Sequence, residues 1–185
     1  MVIWVLGLSG AGKTTLCQAI LQLLKPQMPG MVVLDGDVVR QAFGQDLGHN
    51  EADRIRQFQR LQGMAKVLAD QNFSVIVAAV YSNKALLDWN RKNLKGYFEV
   101  YVDASLETVK RRDSKGLYKA AEEEKIRDVV GIDIPFRAPS NPDVVVNAND
   151  QDTAQALAST LLKSLPNFSS VPETNSDSPS VISRS

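Results

Sequence analysis

Gly7-Leu8-Ser9-Gly10-Ala11-Gly12-Lys13-Thr14 follows the apolar run 2–6 and opens an amphipathic segment over 14–25. The string fits G-x-x-x-x-G-K-[ST], and the strand before it and the helix after it are the setting that gives the pattern meaning. Glycines let the backbone wrap closely and turn successive N–H groups toward phosphate oxygens. The helix N-terminus adds positive potential at the same point. Lys13 supplies a full charge for β- and γ-phosphates, and the Thr14 hydroxyl is suited to ligate Mg²⁺. Residues 7–15, Gly7, Leu8, Ser9, Gly10, Ala11, Gly12, Lys13, Thr14 and Thr15, are therefore the expected ATP cradle. The competing reading is an ordinary glycine-rich turn between a strand and a helix.

Outward from that loop, short apolar runs recur at 2–6, 31–34, 74–80, 97–102 and 143–146. Runs of this length, rich in Val and Ile, read as strands buried on both faces, the pattern of a parallel sheet. Helical periodicity lies between them, over 14–25, 51–69, 85–94, 106–111 and 152–165. Strands alternating with helices predict an α/β fold: a doubly wound, mostly parallel five-stranded sheet with helices on both faces. A charged segment over about 113–134 breaks the alternation and reads as a lid, because long connections are commonly functional. The expected domain is 1–165. The Ser- and Pro-rich stretch 166–185 reads as a disordered tail that buries too little apolar surface to offset its ordering entropy.

Composition narrows the chemistry. The 185 residues carry 21 Lys and Arg against 21 Asp and Glu, a formal net charge of zero. That argues against a chain held to nucleic acid or to a membrane by bulk charge. One Cys and one His exclude an internal disulfide and a zinc centre built from several cysteines. The apolar opening of 1–6 is too short for a signal peptide. A cytoplasmic location is the expectation. Cys17 reads as a packing residue, and Trp4 and Trp89 as core or helix-packing residues.

A carboxylate is needed beside the phosphates, and two strand ends offer one, Asp35 and Asp103. Asp103 precedes Ala104-Ser105-Leu106-Glu107 and reads as a helix N-cap. Asp35 stands in Leu34-Asp35-Gly36-Asp37-Val38-Val39-Arg40, where two acids and an arginine flank a glycine. Asp35 is the candidate for organising Mg²⁺ with Thr14 or for accepting a hydroxyl proton.

Taken together, GLSGAGKTT at 7–15, LDGDVVR at 34–40, DLGHNEADR at 46–54, RDSKGLYKAA at 112–121 and GIDIPFRAPSNPD at 131–143 resemble the adenylylsulfate kinase family. The resemblance implies transfer of the γ-phosphate of ATP, with Mg²⁺, to a ribose hydroxyl of an activated nucleotide. It implies that Asp37 and Arg40 touch the acceptor and that Arg54 binds its phosphate–sulfate end. Lys115, Leu117 and Ile132 would line the acceptor site, and Arg112 would lie near the adenine of ATP. Ser82, a candidate catalytic residue, matches a serine that the family can carry phosphorylated; the competing reading is a plain loop serine. The family is often dimeric, so a homodimer is the oligomeric expectation.

The match fails on the acceptor side. His49 stands where the family has one phenylalanine, and Val129 where it has the other, and these two sandwich the acceptor's adenine. His49 then reads as a hydrogen-bonder to the acceptor or as a loop residue. Gln57 replaces an asparagine, and Val80-Tyr81-Ser82-Asn83 replaces F-I-S-P. Stacking is worth ~1–3 kcal/mol per base, so the departures bear on which nucleotide is accepted. They resemble the branch acting on cytidine diphosphoramidate in capsule biosynthesis. Two other readings stand beside these: a kinase of a different hydroxyl compound, and a non-catalytic nucleotide-binding regulatory module.

Overall fold

The computed structural model describes residues 1–113, 115–149 and 153–165. The expected tail at 166–185 lies outside the described residues. Five strands form one sheet: β1 Val2–Leu6, β2 Met31–Asp35, β3 Ser74–Ala79, β4 Tyr97–Asp103 and β5 Val144–Asn147. Their spatial order is β2-β3-β1-β4-β5. Every pairing is parallel. Seven helices accompany them among the described residues: α1 Lys13–Leu24, α2 Gly36–Ala42, α3 Glu51–Asp70, α4 Lys84–Asn93, α5 Leu106–Arg112, α6 Leu117–Glu122 and α7 Ala154–Lys163.

The burial of the strands explains their composition. β1 sits at the centre of the sheet, and all five of its residues are buried, as are all six of β3. Helices on both faces leave no polar side, so Val, Ile and Trp fill these strands without alternation. β5 is an edge strand, with Val145 exposed. α1 packs its Leu16, Cys17, Ile20 and Leu24 inward, and α3 contributes Phe58 and Leu61 to the core, with the Phe58 ring 4.8 Å from that of Trp4. Trp89, by contrast, is 38% exposed on α4 and is not a core residue.

The chain leaves β1 toward β2 and leaves β4 toward β5, in opposite directions from the middle of the sheet. A crevice forms beyond the carboxyl ends of the strands where connections diverge in this way. The 7–14 loop lies there. A Cβ on Gly7 would stand 2.7 Å from the Val102 carbonyl oxygen, so only glycine lets the loop leave β1 beside β4. Gly12, at φ 96°, caps α1 without any side-chain hydrogen bond. The helix N–H groups of the first turn are thus left for an anion.

Two helices were not legible as periodic segments, α2 and α6. The latter gives the expected lid region a folded turn of its own. Among the described residues, no helix is long and apolar enough to cross a membrane.

Candidate active site

A cavity of about 810 Å³ opens over the carboxyl ends of the strands. Its walls come from the 9–15 loop, the β2–α2 junction, α3, the end of β3, the lid and the start of α7. Six lining side chains are basic, Lys13, Arg40, Arg54, Arg112, Lys115 and Arg127, against three acids, Asp35, Asp37 and Asp128. The chain as a whole is neutral, so the positive excess is local and marks a polyanion site.

The β2–α2 junction builds the corner that meets the 7–14 loop. Asp35 is the N-cap of α2, one carboxylate oxygen accepting from Asp37 N at 2.9 Å and Val38 N at 3.4 Å. Its other oxygen accepts from the Thr14 hydroxyl at 2.7 Å. One side chain therefore ties the end of β2 to the phosphate loop. Asp103 behaves differently from the expectation. Ser105, not Asp103, caps α5 by accepting from Thr108 N. Asp103 accepts from the Tyr101 hydroxyl at 3.1 Å and does not line the cavity.

Lys13 donates to the Leu8 carbonyl at 2.7 Å and is almost fully buried. Burial pushes its pKa down to about 8, against the pull of Asp37 and Asp35. Across the cavity, the lid's Lys115 pairs with Asp37 at 2.5 Å. Burial works to raise the Asp37 carboxyl, but Lys115, Lys13 and Arg40 outweigh it and hold it below the usual range. Asp37 in turn raises Lys115.

The α3 side of the cavity is framed by arginines that are already partly engaged. Arg40 donates to the carbonyls of Leu47 and Gly48, each at 2.8 Å. Asp53 accepts from Gly48 N and from the Asn50 amide. Arg60 grips Asp46 at 2.7 Å. These contacts pin the 46–50 loop and hold His49 at the cavity wall. Burial, then Arg40 and Arg54, lower the His49 pKa and favour its neutral form. Arg54 donates to the Asp128 carbonyl at 2.5 Å, while its buried Nε has no partner. That unpaired donor is what an anionic ligand would satisfy. Gln57 spends its amide on the Gly36 carbonyl and on Arg60. Arg112 donates to the Ala148 carbonyl at 2.7 Å.

Of the residues singled out in the sequence, Ser9 to Thr15, Asp35, Asp37, Arg40, His49, Arg54, Gln57, Arg112, Lys115 and Leu117 come together around this cavity. Gly7 and Leu8 are not among its lining residues. Ser82 does not reach it. The turn into α4, capped by Asn83, carries Ser82 into a second cavity of about 410 Å³. There its buried hydroxyl donates to the Arg137 carbonyl at 3.3 Å. Ile132 is 39% exposed and outside the lining, because the turn at 129–134 directs it to solvent. Val129, at the place of the second phenylalanine, is buried in the wall.

Among the lining residues not singled out as site residues are Tyr81, Phe58, Arg127 and Asp128. Tyr81 donates to Glu51 at 2.6 Å. Its signal was the departure from F-I-S-P at 80–83. Among the described residues no three His, Cys, Asp or Glu side chains gather as a metal cage. The oxygens of Thr14 and Asp35 suit Mg²⁺, which keeps waters and substrate phosphates as its other ligands.

Comparison with known proteins bears on this site. The adenylylsulphate kinase family model matches residues 1–147. The chain is 37% identical over 163 residues to a "Probable adenylyl-sulfate kinase" of Pseudomonas aeruginosa, covering 88% of this chain and 76% of that protein. It is 35% identical over 164 residues to the cytidine diphosphoramidate kinase of Campylobacter jejuni, covering 89% and 95%. Among solved structures, it is similar to the Mycobacterium tuberculosis APS kinase CysC in complex with AMPPNP and APS. That likeness has a TM-score of 0.76 and 31% identity and covers 89% of this chain and 96% of that one.

Proposed function

The chain belongs to the adenylylsulfate kinase family, and from that premise we propose that it transfers the γ-phosphate of ATP to a ribose hydroxyl of an activated nucleotide. The observation that carries the proposal is the Thr14–Asp35 hydrogen bond inside a locally basic cavity. It joins the phosphate-binding loop to the strand end where an acceptor hydroxyl can lie. The loop N–H groups and Lys13 hold the triphosphate. Arg54, with its unpaired Nε, and Arg40 face the acceptor's anionic end. Asp35 has one oxygen fixed by the α2 cap and the other held by the Thr14 hydroxyl, which places it either to organise Mg²⁺ with Thr14 or to accept the hydroxyl proton. Lys115 and Leu117 come from the lid, which excludes water from the transferring phosphoryl group. Thr14 and Asp35 would hold Mg²⁺. When bound, the ion supplies charge neutralisation on the β- and γ-phosphates. ATP as donor argues for a cytoplasmic location.

Adenylyl sulfate is the acceptor that the family relationship favours. A cytidine nucleotide such as cytidine diphosphoramidate is the second reading, and the wall itself favours it. His49 and Val129 leave no pair of aromatic rings to sandwich a purine, and a smaller pyrimidine needs less stacking surface. Incubating the chain with ATP, Mg²⁺ and each nucleotide in turn should give a product one phosphate heavier with one of them. The Lys13→Ala variant should give none. Efficient turnover of adenylyl sulfate alone would remove the pyrimidine reading, and no product from any nucleotide would remove the kinase reading.

A further inference from the structure

We infer that Tyr118 is a positioning residue for the triphosphate, acting through the peptide between Ser9 and Gly10. Leu8, Ser9, Gly10 and Ala11 form a β-turn closed by the Ala11 N–H on the Leu8 carbonyl at 3.2 Å. Gly10 has φ 76° and Ser9 is not among the positive-φ residues. A positive φ at the third position only is the signature of a type II turn. Types I and II differ by rotation of the central peptide, and a glycine at the third position permits both. That peptide is Ser9–Gly10. Left alone, it is free to flip.

The Tyr118 hydroxyl stops the rotation. It donates to the Ser9 carbonyl at 2.9 Å, from a ring that is 2% exposed and stands behind the loop rather than in the cavity wall. In a planar trans peptide the C=O and the following N–H point in opposite directions. Holding the Ser9 carbonyl back toward Tyr118 therefore aims the Gly10 N–H forward. Gly10 itself lines the cavity beside Lys13 and Thr14. A flipped peptide would present a carbonyl oxygen to the phosphates in place of a donor.

Tyr118 is itself firmly placed. It is the second residue of α6, where the Asp113 carboxylate accepts from the backbone N–H groups of Tyr118 and Lys119. Burial pushes the phenol pKa up to about 12, so the hydroxyl stays a donor throughout the physiological range. The lid thus reaches the phosphate loop from behind while Lys115, three residues earlier, meets Asp37 across its front.

The inference rests on the reading of the 7–14 loop as a triphosphate site, and one binding experiment separates the two. ATP, ADP and AMP are titrated into the parent chain and into Tyr118→Phe, which keeps the ring and removes only the hydroxyl. Loss of one well-placed donor should weaken ATP and ADP by roughly five- to tenfold. AMP, which does not extend along the loop, should bind both proteins alike. In turnover, the KM for ATP should rise by the same factor, with the acceptor KM unchanged. Equal ATP affinity in parent and variant would overturn the role of Tyr118 while leaving the site intact. Equal weakening of all three nucleotides would overturn it too, by showing a merely structural role. A parent chain that binds no ATP would overturn the site and with it the inference.

Discussion

Lys13 shows what a single buried charge does to a site. Its ammonium has little water, and burial lowers its pKa to about 8 despite Asp37 and Asp35. A bound triphosphate brings negative charge against it and must raise that pKa again. Above pH 8 the free protein therefore holds a largely neutral Lys13 and the complex a charged one. Binding then takes up a proton, and affinity for ATP falls as pH rises through 8, by up to tenfold per unit. Calorimetric titration at pH 9 in buffers of different ionisation enthalpy should show close to one proton taken up, and at pH 6.5 close to none. No buffer dependence at pH 9 would place the charge elsewhere. Lys13 and Thr14 were legible in the sequence because the chemistry of the loop is written in adjacent residues. Tyr118 was not legible as a contact of Ser9, since 109 positions separate them. Ser82 stood beside the right strand, yet one more turn of backbone carried it into a different cavity.

The β2–α2 junction makes the same point for short elements. α2 buries a single side chain, Val39, and α6 a single one, Tyr118, so neither short helix carries an apolar stripe that spacing could reveal. The strands were legible because continuous Val- and Ile-rich runs have few alternatives in a chain of this kind. The cap logic was sound but belonged partly to another residue. It was applied to Asp103, whereas Asp35 makes the bonds of a cap, and Ser105 serves α5. Asp35 consequently has two duties that substitution can separate. Asp35→Asn retains an oxygen for the Asp37 and Val38 N–H groups but loses the charge beside Thr14. Its unfolding free energy should stay within about 1 kcal/mol of the parent while turnover falls about a hundredfold or more. Asp35→Ala should lose the cap as well, for a further cost of about 1 kcal/mol in stability. Chemical denaturation and steady-state rates on the two variants measure these effects. Parent-like turnover in Asp35→Asn would remove Asp35 from the chemistry.

The fold as a whole brings to one end of the sheet groups that lie far apart in the chain. Arg54 reaches the Asp128 carbonyl, Lys115 reaches Asp37 and Tyr118 reaches Ser9, over 74, 78 and 109 positions. The lid is thus fastened to α3, to α2 and to the phosphate loop. Without a ligand the fastening to α2 is weak. The Lys115–Asp37 pair is more than half exposed on both sides, and exposed ion pairs contribute little. The excess of basic side chains in the cavity meanwhile repels itself. A bound triphosphate supplies the missing negative charge and gives the lid a partner only in the folded state. By mass action, nucleotide at about a hundred times its dissociation constant stabilises the native chain by ~2.7 kcal/mol. For a protein of this size that corresponds to a rise in Tm of roughly 5–10 °C. Differential scanning fluorimetry with ATP and Mg²⁺ should show this rise in the parent chain. Lys13→Ala, which removes the buried cation from the cradle, should melt near the parent's unliganded temperature and respond to ATP by no more than about 2 °C. An equal shift in both proteins would mean that the nucleotide stabilises the fold from outside the 7–14 loop, and the link between lid and cradle would have to be given up.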